Sequence, residues 1–228
     1  MKGFEEKGSE LRSEEETRAL AEQLRKPAGE EGVKVAQFMN NGNRGMNLHA
    51  LAELDAENGD RILEIGMGNG YFTERIVRGL SNIKYRGLDY SQDMVDLSKD
   101  LQSSLMENFD VDYLCGDASV LPFESGEFNK VLTVNTLYFW KDLHQTFKEL
   151  HRVLDQGGVA VIAVRPEHLL NEMSITKYDF IIRNDSAIRS ELLKVGFENV
   201  SAVEVVEEPQ MVFGKEISLG AVIYSAQK

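Results

Sequence analysis

The chain is poor in the residues that mark specialised classes. Its 228 residues include one cysteine, one tryptophan and four prolines. A lone cysteine, Cys115, can form no internal disulfide and cannot build a zinc site alone. It lies in the run VDYLCGD, where a buried structural thiol is expected. Positive charge is scarce: 25 Lys and Arg face 38 Asp and Glu, a formal net charge of -13. Non-specific grip on a phosphate backbone needs the opposite sign, so nucleic acid is a disfavoured partner. Docking on an anionic membrane surface is disfavoured for the same reason. No apolar run approaches the roughly 20 residues that span a bilayer. The opening MKGFEEKGSELRSEEE is too polar for a secretory leader, so a cytoplasmic protein is expected, monomeric or homodimeric. The Asn-X-Ser triplets at 184–186 and 199–201 then carry no glycan.

What is present is ordinary for a soluble domain: 42% hydrophobic and 28% charged residues. The length suits one doubly wound core and is short for two full domains. Three helices are expected first, at 14–26, 30–40 and 44–55, the last two split by NNGNRG at 40–45. They form an expected N-terminal helical cap over residues 1–57. From Asp60 a βα alternation begins. Strands are expected at 61–66, 83–89, 111–117, 128–135 and 157–164, with helices at 70–79, 91–107 and 141–154. Several strands are unbroken apolar runs, as in a parallel sheet covered on both faces. After Arg165-Pro166 the rhythm changes. A helix is expected at 186–196, capped by Ser186 and ended by Gly196. Strands at 200–208 and 216–226, joined by a short connection, should pair antiparallel. The expected fold over 58–228 is therefore a doubly wound α/β domain with seven strands, mostly parallel.

The stretch ILEIGMGNG at 62–70 is the most informative. Three alternating glycines lie between a strand and a helix. Such a turn needs positions free to take positive φ, and a ligand approaches the backbone closely only where no Cβ projects. The following helix offers free N–H groups and a positive dipole end to an anion, carboxylate as well as phosphate. A phosphate loop would end Gly-Lys-Ser/Thr, whereas this one ends Gly70-Tyr71-Phe72. A dinucleotide turn, G-x-G-x-x-G, fits Gly66 and Gly68 but meets Tyr71 at its third position. The pattern E-x-G-x-G-x-G fits Glu64, Gly66, Gly68 and Gly70.

The next strands end on polar residues. GLDYS places Asp89 where a carboxylate can take both ribose hydroxyls. Tyr90 and Met94 can pack against a base beside it. CGDASVLPF places Asp117 and the Ala118 N–H where they can read an adenine edge. VNTLYFW places Asn135 at the tip of the fourth strand. Ligands of open α/β sheets sit outside the carboxyl ends of strands, and Glu64, Asp89, Asp117 and Asn135 all occupy such ends.

ILEIGMGNGYFTERI, GLDYS, CGDASVLPF and NTLYFWKDLHQTFKELHRVLDQGG together resemble the ordered motifs of class I S-adenosylmethionine-dependent methyltransferases. The likeness is to the small type-11-like group, which includes quinone-biosynthesis C-methyltransferases, and it covers roughly residues 60–165. The resemblance implies strand order 3-2-1-4-5-7-6 with the last strand antiparallel. It implies S-adenosyl-L-methionine as cofactor, no metal, and a small-molecule methyl acceptor. Glu64 and the backbone from Gly66 through Met67 to Gly68 should form the cofactor site at the methionine moiety. Asp89 should hold the ribose, Tyr90 flank the adenine, and Asp117 and Ala118 read its edge. Asn135 should sit near the reacting methyl. Asp155-Gln156-Gly157-Gly158 departs from the family's Lys-Pro-Gly-Gly-like turn.

Methyl transfer is an in-line displacement, and a general base is needed only for an acceptor that must lose a proton. His168, after the fifth strand, and Asn135 are the candidate catalytic residues. His144 and His151 are expected in surface or capping roles, and His49 lies in the cap. Residues 37–47 can form a lid over the site, or a helical pair that simply packs on the sheet edge. Tyr138, Phe139 and Trp140 suit either an acceptor pocket or the core. A non-catalytic sensor or partner subunit that binds the cofactor or its demethylated product is the alternative, because the motifs specify binding rather than turnover. A nicotinamide-dependent oxidoreductase is a weaker reading.

Overall fold

In β1 (Arg61–Ile65), Ile62 and Leu63 are both fully buried, yet they belong to two different core clusters. Successive strand residues point to opposite faces, so both faces must be covered. A computed structural model of the chain shows how; it describes residues 13–212, 215–217 and 219–228. Helices α1 (Glu14–Arg25), α2 (Gly29–Gly42) and α3 (Arg44–Leu54) come first. After β1 follow α4 (Thr73–Val77), β2 (Lys84–Asp89), α5 (Gln92–Leu101), α6 (Ser103–Asn108), β3 (Asp110–Cys115) and β4 (Phe128–Val134). Then come α7 (Leu143–Val153), β5 (Leu154–Val164), α8 (Glu167–Glu172), α9 (Asp185–Val195), β6 (Glu198–Val206), β7 (Gln210–Val212), β8 (Lys215–Ile217) and β9 (Gly220–Gln227).

The main sheet has seven strands in the order β3-β2-β1-β4-β5-β9-β6. The first five are parallel, and β9 runs antiparallel to both neighbours, as the family resemblance implies. One face carries Leu63, Ile65, Val131 and Ile162 beneath Phe147 and Leu150 of α7 and Ile188 and Leu192 of α9. The other carries Ile62, Tyr85, Leu132 and Val161 beneath α5 and α3. On α3, Met46, Ala50 and Leu54 recur every fourth residue, so one stripe of that helix is buried. This helix packs on β4, β5 and β9 as part of the covering layer.

Several boundaries differ from expectation. The helix expected at 91–107 is two helices, because Gln102 leaves helical geometry and its side-chain amide donates to Gly70 O. The helix expected at 70–79 shortens to α4, bounded by the positive-φ glycines Gly70 and Gly79. Strand β5 begins at Leu154, so Asp155 to Gly158 lie within it as an irregularity where its register on β4 shifts. Asn184, not Ser186, caps α9, its side-chain oxygen accepting from Ala187 N. The expected strand at 216–226 divides: β8 pairs with β7 in a separate hairpin, and β9 pairs with β6. Cys115 is exposed rather than buried, because it ends an edge strand with no neighbour on one side.

A buried ion pair joins three distant segments. Arg165, just after β5, pairs with Glu207, just after β6, and neither is more than 5% exposed. The guanidinium also donates to Gly220 O and Gly42 O, both at 2.9 Å. The Glu207 carboxylate packs where a Cβ at Gly45 would collide with it. Removing one partner of such a pair costs about 3–5 kcal/mol, because the other charge stays buried and uncompensated. Arg165→Met is expected to lose about that much in urea unfolding, and Arg165→Met/Glu207→Leu to recover most of it. Equal destabilisation of the single and double variants would show that the two charges are not coupled.

Candidate active site

The carboxyl ends of β2, β1 and β4 stand side by side. The glycine turn leaves β1 with Gly66, Gly68 and Gly70 all at positive φ. Two of them do different work. A Cβ at Gly66 would run into the Thr136 side chain beyond β4, so glycine lets the two ends close on each other. A Cβ at Gly68, with φ at +59°, would meet nothing within 4 Å, so this part of the turn is an open cradle. Ser98 of α5 donates to Gly68 O at 3.1 Å and steadies the turn from behind.

Asp89 is buried at the tip of β2. It accepts from Gly68 N at 2.9 Å and from Ser91 N at 2.8 Å. Burial pushes its carboxyl up to about 6, against the lowering effect of those N–H groups. Glu64 is buried deeper, accepting from the Tyr85 hydroxyl at 2.6 Å, which in turn accepts from Thr73 Oγ1 at 3.2 Å. Its carboxyl is pushed up to about 7 by burial first and by the nearby Asp89 charge, opposed by the Tyr85 hydrogen bond.

Asn135 follows β4 in the left-handed region, φ +61°, which asparagine tolerates. Its amide nitrogen donates to Asn43 Oδ1 at 3.3 Å, and its own Oδ1 is buried with no partner. Buried polar atoms without partners are rare and ask for an explanation.

The remaining expected residues are distributed more loosely. Met67 is buried in the core cluster under the turn, and its carbonyl accepts from Gly70 N. Gly116 N donates to Asp89 O at 2.9 Å, which brings the β3 end beside β2. Asp117 there is exposed and caps its own turn through Ser119, while Ala118 is buried. Met94 is fully buried inside α5 and presents no surface. Tyr90 is 48% exposed, with Lys26 Nζ over its ring at 4.9 Å. His168 is exposed on α8. His144 meets Glu191, and His151 packs on Phe197 and Gly196, the surface and capping roles expected. Tyr138 and Trp140 are buried in the core, with Tyr138 and Phe139 contacting Phe180.

Sequence reasoning missed the contribution of α1. A cavity of about 390 Å³ is lined by Glu22, Gln23, Arg25, Lys26, Tyr90 and Asp179. Helix α1 is also tied to the segment after α8: Arg25 pairs with Asp179 at 3.6 Å and Arg18 lies over Tyr178. The α1–α2 junction is fixed to β2 and α5, with Ser91 donating to Pro27 O and Gly29 N donating to Asp93 at 2.7 Å. The amphipathic pattern of α1 was legible, but nothing in it marks what it covers.

The methyltransferase domain family matches residues 63–162, from β1 to β5. Over that stretch the chain matches a methyltransferase domain, and the likeness is to class I S-adenosylmethionine-dependent methyltransferases. The domain is 27% identical, over 54% of this chain and 66% of the other, to the uncharacterized methyltransferase YdaC of Bacillus subtilis. The chain spans between 46% and 66% of the length of the first curated relatives it matches. In structure it resembles a chain of the complex between the Haloferax volcanii Trm112 methyltransferase activator and a methyltransferase. There the TM-score is 0.70 and identity 20%, over 84% of this chain and 92% of that one. It also resembles phosphoethanolamine N-methyltransferase 2 of Haemonchus contortus in complex with phosphomonomethylethanolamine and S-adenosylhomocysteine. That match has a TM-score of 0.65 and 18% identity, over 80% of this chain and 52% of that one. Among the described residues no helix is long and apolar enough to cross a membrane.

The raised Glu64 carboxyl has a consequence for this domain's stability. An ordinary glutamate, as in the unfolded chain, titrates near 4.5, whereas the folded protein holds this proton up to about 7. Below pH 4.5 both states are protonated and no penalty arises. Between the two values the folded state binds more protons, so stability falls as pH rises, and it levels off above 7. The full difference is on the order of 3 kcal/mol. Glu64→Gln keeps an acceptor for Tyr85 and removes the charge. It is expected to match wild type in urea unfolding at pH 4 and to gain on it progressively up to pH 8. A constant difference across that range would mean that the Glu64 proton is not linked to folding.

Proposed function

We propose that the chain transfers the methyl group of S-adenosyl-L-methionine to a small-molecule acceptor. The observation that carries this reading is the buried Asp89 carboxylate, held by Gly68 N–H and Ser91 N–H beside the open glycine cradle. A carboxylate there suits a ribose diol, and a turn without side chains suits a ligand that lies against backbone. The orphaned Asn135 Oδ1 on the other flank suits a hydrogen-bond donor. The surrounding acids suit a ligand with a sulfonium and an ammonium better than a pyrophosphate. The structural likeness to the Haemonchus contortus enzyme, which is in complex with S-adenosylhomocysteine, supports the same choice.

When bound, S-adenosylmethionine supplies an activated methyl group on a good leaving group. The protein's part is to hold and exclude. Asp89 anchors the ribose, with Tyr90, Asp117 and Ala118 around the base. Glu64 supports the turn from below through Tyr85. The turn from Gly66 to Gly68 and the Asn135 flank orient the methionine end, and α1 with the α2–α3 turn shields it from water. In this reading residues 58–228 are the cofactor-binding domain and the helices before 57 its cover, including the lid at 37–47. Asn135 is the residue nearest the transfer; a general base enters only for acceptors that must lose a proton, with His168 the histidine on the acceptor side.

Calorimetric titration with S-adenosylmethionine, S-adenosylhomocysteine and NAD tests the reading. Binding of the first two and not the third is expected. Asp89→Asn, which keeps an acceptor for Gly68 N, is expected to weaken both by about tenfold or more through loss of a charged hydrogen bond. Absence of binding by both would remove the proposal, and an NAD signal would replace it with a dinucleotide enzyme.

A further inference from the structure

Asn43 occupies an unusual place. It ends α2 and starts α3, the position where an asparagine side chain normally caps the helix. Here its side chain makes no capping hydrogen bond. Instead its Oδ1 accepts from Asn135 Nδ2, across 92 residues of sequence. The backbone of Asn43 is fully engaged: its N–H donates to Met39 O, and its carbonyl accepts from Asn47 N and Asn47 Nδ2. The turn is held from beneath by the Arg165–Glu207 pair, through Arg165 to Gly42 O and through Glu207 packed on Gly45. A turn braced from beneath thus presents one side-chain oxygen to one amide.

An amide can face a site with either end. An acceptor placed at Asn135 Nδ2 decides the matter: the NH2 group turns towards Asn43, and the carbonyl oxygen is left facing the other way with its lone pairs free. That oxygen is the orphaned one. Its location relative to Asp89 follows from the sheet, since β2 and β4 flank β1 on opposite sides. At roughly 4.8 Å between neighbouring strands, the two ends lie about 10 Å apart. A ligand with its ribose on Asp89 therefore brings its far end, not its base, to Asn135. Arg165, beneath the turn, is itself committed to Glu207, Gly42 O and Gly220 O.

We propose that Asn43 is a positioning residue of the cofactor site: its side-chain oxygen fixes the Asn135 amide so that Asn135 Oδ1 receives an N–H donor from the amino-acid end of the ligand. The inference rests on the cofactor reading above. It makes the α2–α3 turn part of the site's chemistry and not only its cover.

The test titrates wild type, Asn43→Ala and Asn43→Asp with two probes by calorimetry. S-adenosylhomocysteine carries the amino-acid end; 5′-methylthioadenosine keeps the adenosine and lacks it. Asn43→Ala is expected to weaken S-adenosylhomocysteine about tenfold, the scale of one hydrogen bond to a charged group, and to leave 5′-methylthioadenosine within twofold. Asn43→Asp, which can only accept, is expected to hold S-adenosylhomocysteine within threefold of wild type or better. If Asn43→Ala fails to fold, Asn43→Ser is expected to show the same split between probes. Equal weakening of both probes would make Asn43 merely structural and overturn the proposal. Unchanged binding of both, or an Asp variant as weak as the Ala variant, would overturn it as well. Wild type binding neither probe would instead remove the cofactor reading and this inference with it.

Discussion

The turn at Gly66 and the chain at Thr136 approach so closely that no Cβ fits between them. Much of the site's geometry depends on this contact. Thr133 Oγ1 donates to Ile65 O and is paired with Thr136, so the ends of β1 and β4 are joined by hydrogen bonds as well as by packing. On the other side Gly66 N donates to Leu88 O at 2.7 Å, which ties the same turn to β2. The three strand ends become one rigid edge, and Asp89 and Asn135 become fixed points on it. Residues carried on sheet ends hold such spacing better than residues on free loops.

The electrostatics of that edge run against the usual state of carboxylates. Glu64 and Asp89 are both buried and both raised, chiefly by loss of water. Two carboxyls buried so close together are costly to the fold, and a cationic ligand relieves the cost by restoring a counter-charge. Binding and folding are then linked through the same two groups, as they are for any ligand that prefers the native state.

Much of this was legible in the sequence, for identifiable reasons. The glycine spacing, the acids at strand tips and the unbroken apolar runs are all local patterns, and the βα alternation follows from them. What escaped is non-local or side-chain specific. Asn43 and Asn135 meet across 92 residues of sequence, and no period announces a single amide pair. Arg165 and Glu207 read as ordinary charged residues until the sheet brings them together. The break at Gln102 comes from a side chain reaching the glycine turn, against a helical pattern that runs through it. Cys115 looked buried because its run is apolar, yet its place at the end of the edge strand decides its exposure.

The position of β9 bears on how the chain is made. This strand lies between β5 and β6, and among the described residues β6 pairs with the sheet through it. On a ribosome, β1 to β5 emerge first and can assemble, but β5 then presents an open edge. Strand β6 has no seat until residues 220–227 have left the exit tunnel. The order of synthesis and the order of assembly therefore differ at this edge. During that interval the nascent chain exposes an unpaired apolar strand, the state in which partly made proteins are most prone to associate wrongly.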